Sequence, residues 1–158
     1  MEKIASFMID HTKLNPGLYV SRKDKVGDET ITTFDLRLTY PNQEAPMRTD
    51  EIHAIEHLAA SYLRSDSKWK DKILYFGPMG CRTGFYLIVA GDYSPSDVIP
   101  VMVSCFQFIA YWAEEIPGAT AVECGNYLDM NLDLAKFRSH LYLYHIERAD
   151  DNNTVYPK

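Results

Sequence analysis

A chain of 158 residues with a net charge of −6 is long enough to bury one substantial core, and its average surface repels a phosphate backbone. No Lys/Arg cluster interrupts that acidic balance, so nucleic acid is not an expected partner. Apolar residues make up 46% and charged residues 24%, an ordinary globular balance, and no apolar run approaches the roughly 18 to 20 residues of a membrane span. The N-terminal MEKIASFMIDHTK lacks a long apolar export segment, so a soluble, cytoplasmic protein with no membrane partner is expected. Residues 18–23 and 30–38 are rich in β-branched and aromatic types around a polar, glycine-containing DKVGDE, which predicts a hairpin. Residues 49–63 read as a helix that starts at Thr49 or Asp50 and turns Ile52, Ile55, Ala59, Tyr62 and Leu63 to the core. Residues 73–77 and 84–90 form a second predicted strand pair, joined by a loop that carries Cys81. A second helix is predicted over residues 96–115, with Pro100 early enough to be tolerated and Pro117-Gly118 as its stop, and a third over residues 132–143. Hairpins with helices between them specify an α+β fold: one domain over residues 1–158, an antiparallel β-sheet packed with α-helices.

Chemistry concentrates in HAIEH, residues 53 to 57. On a helix His53 and His57 lie about 40° apart and one turn apart, so both imidazoles can share an ion, with Glu56 beside them in a base position. H-x-x-E-H is the inverted form of the zincin motif. A solvated helix face carries the same residue types, so a third ligand is needed to separate the readings. Cys124, Cys81, His11, His140 and His145 are the candidates, because a divalent first-row metal accepts two histidines and a cysteine with a fourth position open. The three cysteines are odd in number and no export segment accompanies them, so no disulfide framework is expected; Cys105, inside VMVSCFQF, reads as a buried small apolar residue. Arg64 continues the histidine stripe about 10 Å along the axis from His57, as an anion anchor or as an ordinary exposed arginine.

Taken in order, SFMIDHTK, FDLR, HAIEH, GPMGCRTGFYL and ECGNY resemble the LuxS family of S-ribosylhomocysteine lyases, from about Ser6 to the third helix. The resemblance implies a homodimer that cleaves S-ribosylhomocysteine to L-homocysteine and 4,5-dihydroxy-2,3-pentanedione, the autoinducer-2 precursor. It implies one divalent metal per subunit, Fe2+ first, with Zn2+ or Co2+ able to replace it. It places the metal ligands on His53, His57 and Cys124 and the catalytic pair on Glu56 and Cys81. The substrate contacts fall on Ser6, His11, Arg37 and Arg64. Tyr75 and Phe76 stand before the GPMG run where the family pattern carries an acidic and an aliphatic residue, and Met130 follows ECGNY where many members carry histidine.

Such a reaction moves the carbonyl along the ribose until the C–S bond lies β to it, which needs several proton transfers. Cys81 is expected to serve the early isomerisation, with neighbouring Arg82 as a contributor to its ionisation, and Glu56 the later carbons and thiol release. The competing readings of the motif are a small metallopeptidase, in which Glu56 would activate water, and a non-catalytic metal-stabilised module, which would prefer a closed four-ligand site.

Overall fold

The computed structural model describes residue 4 and residues 7–157; the substrate-binding candidate Ser6 lies outside the described residues. Strands β1 (Gly17–Val26) and β2 (Glu29–Arg37) form the expected hairpin. Its turn is tighter than the polar run implied: Val26 pairs with Glu29, leaving two residues, and Gly27 sits at φ 61°. That left-handed conformation is the one a two-residue hairpin turn needs and glycine adopts without cost. Strands β3 (Ile73–Pro78) and β4 (Gly84–Ala90) form the second hairpin, and β4 docks antiparallel on β2, giving the order β1-β2-β4-β3.

Helices α1 (Thr49–Ser65), α2 (Pro95–Ala110) and α3 (Leu132–Ile146) share one core with the sheet. Leu18, Phe34, Leu36, Phe85 and Leu87 supply the sheet's side of that core, and Ile55, Leu58, Phe106 and Tyr142 the helices' side. The arrangement is the single-domain α+β fold with an antiparallel sheet. Among the described residues no helix is long and apolar enough to cross a membrane.

Helix α2 and the C-terminal segment depart furthest from the sequence expectation, while α3 runs on to Ile146, past the expected end at Leu143. Helix α2 ends at Ala110, five residues short of the predicted 115, because its buried stripe of Val98, Val101, Met102, Cys105, Phe106 and Ile109 runs out there. Trp112 then donates its indole N–H to the Glu115 carbonyl at 3.1 Å, closing a turn. Pro117 and Gly118 are therefore free to serve elsewhere. A short helix α4 (Asp151–Thr154) was not anticipated; it is capped by Asp150, whose side chain accepts from the Asn152 N–H, and Asn153 donates to the His145 carbonyl. This anchor carries the C-terminus back across β1, where Tyr156 stacks on Tyr19 at 4.8 Å.

Strand alternation sets the position of the site. Phe34 and Leu36 of β2 enter the helix-covered core, so Asp35 and Arg37 face the other side of the sheet, where both are nonetheless buried. Opposite Arg37 stands Gly84, and a Cβ there would collide with the Leu36 carbonyl. Gly84→Ala is therefore expected to lower unfolding stability by about 1 to 3 kcal/mol. Urea unfolding measures this, and an unchanged midpoint would show that β2 and β4 can part here without loss.

Candidate active site

His53 and His57 sit one turn apart on the half-buried face of α1, and the segment after α2 wraps over them. His53 Nδ1 lies 3.0 Å from the Asp129 carbonyl oxygen and His57 Nδ1 2.8 Å from that of Pro117. A carbonyl only accepts, so each neutral ring carries its proton on Nδ1 and keeps the Nε2 lone pair free. His53 Nε2 is 3.3 Å from Cys124 Sγ, and the ligand atoms of His53, His57 and Cys124 all lie within 4.8 Å of one another. Ligands about 2.0 to 2.3 Å from a tetrahedral ion stand about 3.5 Å apart. The three residues thus fit a divalent metal with only a small closure, and the Asn126 N–H donates to Cys124 Sγ at 3.5 Å.

Gly118 permits this geometry. It sits at φ 73°, and a Cβ on it would stand 3.2 Å from His57 Nδ1. Pro117 and Gly118, read from sequence as a helix stop, instead hold a metal-ligand candidate. Of the other third-ligand candidates, His140 packs its ring on Tyr111, His145 packs on Tyr40, and His11 lies beside Cys81. Cys105 is fully buried, as expected, and burial pushes its thiol far above the ordinary range.

Cys81 is presented by the loop between β3 and β4, which closes through a hydrogen bond from the Arg82 N–H to the Met79 carbonyl, with Arg82 at φ 61°. Its sulfur lies 3.1 Å from Thr83 Oγ1 and 3.8 Å from Arg37 Nη1. Partial burial raises the thiol pKa, but the bonds from Thr83 and the Arg37 charge outweigh it and hold Cys81 below the ordinary value. The cation that acts on Cys81 is thus Arg37 rather than Arg82, whose guanidinium reaches the Met47 carbonyl at 3.4 Å. Arg82 follows Cys81 in the chain, but the turn sends its side chain elsewhere.

Arg37 is itself clamped. Its Nη2 donates to Asp35 Oδ2 at 2.6 Å and its Nη1 to Thr83 Oγ1 at 2.5 Å. Burial disfavours the guanidinium's charge, yet the Asp35 carboxylate more than offsets that and raises the Arg37 pKa. Arg37 Nε and Asp35 Oδ1 are buried without a hydrogen-bond partner among the described residues. Both residues line a cavity of about 250 Å³ with His11, Cys81, Tyr86 and Tyr156.

Glu56 is half-buried on α1 next to His57 and has no hydrogen bond or ion pair among the described residues. Arg64 is exposed in the last turn of α1. The metal-ligand group and the Cys81 cavity do not share a lining residue.

A family model described as S-ribosylhomocysteinase (LuxS) matches residues 4–153. The chain belongs to the LuxS family. It is 54% identical over 158 residues to S-ribosylhomocysteine lyase of Clostridium beijerinckii, covering 99% of each chain. It is 54% identical to that of Finegoldia magna, covering 100% of each, and 50% identical to that of Borreliella burgdorferi, covering 99% of this chain and 100% of the relative. In this LuxS chain Asp35, Thr83, the carbonyls of Pro117 and Asp129, and Tyr156 surround the candidates without having been singled out from sequence. Asp35 alone left a usable signal, since FDLR places it two residues before Arg37 on the same strand face.

Proposed function

We propose that this chain is a cytoplasmic, homodimeric carbon-sulfur lyase that cleaves S-ribosylhomocysteine to L-homocysteine and 4,5-dihydroxy-2,3-pentanedione, the precursor of autoinducer-2. The observation that carries the reading is the pairing of a tautomer-fixed His53/His57/Cys124 group with a second, pKa-lowered cysteine beside a buried arginine. A metallopeptidase has no use for the latter, and a closed structural metal site would need a fourth ligand, which the group among the described residues does not include.

His53, His57 and Cys124 would hold one divalent ion per subunit, Fe2+ foremost, with Zn2+ or Co2+ as substitutes. Bound there, the ion supplies a Lewis acid that lowers the cost of negative charge on the sugar's carbonyl oxygens. Arg37 and Asp35 line the Cys81 cavity as a donor and an acceptor suited to ribose hydroxyls, with His11 and Ser6 as further contacts. Cys81 Sγ, as thiolate, takes the proton from the hydroxyl-bearing carbon next to the carbonyl and returns it to the carbonyl carbon, while the hydroxyl proton passes to the former carbonyl oxygen, which moves the carbonyl one carbon along the chain. Glu56 then removes the proton α to the migrated carbonyl. Its electron pair forms the C=C bond as the C–S bond breaks, and the departing thiolate takes a proton from Glu56. Arg64 serves the amino-acid end of the substrate.

The homodimer has a physical reason in this scheme. Asp35, Arg37 and the Cys81 cavity lie on the sheet face turned away from the helices, whereas the metal ligands lie on α1 and the segment after α2. A second copy is what sets one chain's Cys81 against the other chain's ligands. Incubation of anaerobically purified, metal-loaded protein with S-ribosylhomocysteine should release one free thiol per substrate, read with a colorimetric thiol reagent. Metal-loaded protein that releases no thiol would overturn the reading.

A further inference from the structure

We infer that Tyr156, beyond the segment matched by the family model, is a positioning residue for the Cys81 thiolate and acts on it through Asp35 and Arg37. The inference rests on Cys81 being the catalytic base proposed above. Helix α4 and the stack on Tyr19 at 4.8 Å, with an interplanar angle of 4°, fix the Tyr156 ring. Its hydroxyl donates to Asp35 Oδ2 at 2.9 Å, the same oxygen that accepts Arg37 Nη2 at 2.6 Å. Burial and the Asp35 carboxylate push the phenol far above its ordinary pKa, so it remains a donor at any pH the enzyme meets.

One carboxylate oxygen is therefore shared between a phenol and a guanidinium. The phenol takes up part of the carboxylate's negative charge, leaving more of the Arg37 charge to act on Cys81 Sγ, 3.8 Å from Nη1. Without the hydroxyl, Asp35 compensates Arg37 more fully and the thiolate is less favoured. The titratable groups lining the two cavities beside Cys81 are His11, Asp35, Arg37, Glu44, Tyr86 and Tyr156. Both tyrosines can be stripped of the polar atom with the ring left in place, and Tyr156 is the one whose hydroxyl donates to Asp35.

Tyr156→Phe keeps the stack and removes the hydroxyl, with its bonds to Asp35 and Ser21. The rate of Cys81 alkylation by iodoacetamide is followed against pH in the metal-loaded protein by the mass of the peptide that carries Cys81. Loss of the hydroxyl moves the alkylation midpoint up by about 0.5 pH unit, about threefold less thiolate below the midpoint. The acid limb of kcat/KM should move by the same amount, with the plateau recovered at higher pH. Tyr19→Phe, which loses only its bond to the Asn15 carbonyl, should leave the midpoint in place. An unmoved midpoint in Tyr156→Phe, an equal shift in Tyr19→Phe, or a Tyr156→Phe protein that does not fold would each overturn the inference. Alkylation reads the thiol without turnover, so it fails independently of the proposed lyase activity.

Discussion

Cys81→Ala protein should hold its metal at the parent stoichiometry, unfold at nearly the parent urea concentration, and release homocysteine at least about 100-fold more slowly. The retained fold follows from the site's construction. Cys81 is exposed, and Arg37 keeps its bonds to Asp35 and Thr83 when the sulfur is gone, so no buried charge is stranded. The kinetic loss follows from removing a proton-transfer group, worth about 100- to 10,000-fold. Glu56→Gln should behave alike. The amide is isosteric, and among the described residues Glu56 has no partner to lose. Metal per chain and thiol release, measured on the same preparation, separate a lost base from a lost ligand. Normal thiol release from Cys81→Ala would remove it from the mechanism.

His57→Ala should lose both metal and turnover. Two ligands remain, the Pro117 carbonyl is left without its imidazole donor, and metal affinity should fall by more than the roughly 10- to 100-fold typical of disturbing a ligand's supporting hydrogen bond. Gly118→Ala is the graded companion. Its Cβ would press on His57 Nδ1 from a backbone at φ 73°, so a loss within that 10- to 100-fold range is expected, with chelator competition as the readout. If each site takes Cys81 from one subunit and ligands from the other, mixing inactive Cys81→Ala and His57→Ala chains restores activity. In a randomly assorted population about a quarter of the sites are then intact. A mixture that stays inactive after confirmed subunit exchange would place the whole site within one chain.

Helix α1 was legible because its pattern is local. Apolar residues at helical spacing bury one face, and the same 3.6-residue period puts His53 and His57 side by side. The hairpins were legible for a similar reason, although the first turn was shorter than its polar composition implied. Helix α2 was overdrawn because Tyr111 and Trp112 extend the apolar run in sequence, whereas in space Tyr111 is exposed and Trp112 turns back to the Glu115 carbonyl. Helix α4 is not legible in the sequence because four residues carry no periodicity.

The sequence by itself determined the α+β class, the shared face of the two histidines and the identity of the cysteines worth testing, because these depend on residue type and short-range period. The family resemblance already placed Cys124 with the two histidines, and the tertiary structure brings its sulfur to 3.3 Å from His53 Nε2. Only the tertiary structure made Arg37 rather than Arg82 the cation on Cys81, and brought the Pro117 and Asp129 carbonyls and the Tyr156 hydroxyl into contact with the site. Those partners are separated from the groups they touch by between 44 and 121 residues. Hydrogen bonds and charge act over a few ångströms, so a contact spanning such separations exists only once the chain has folded.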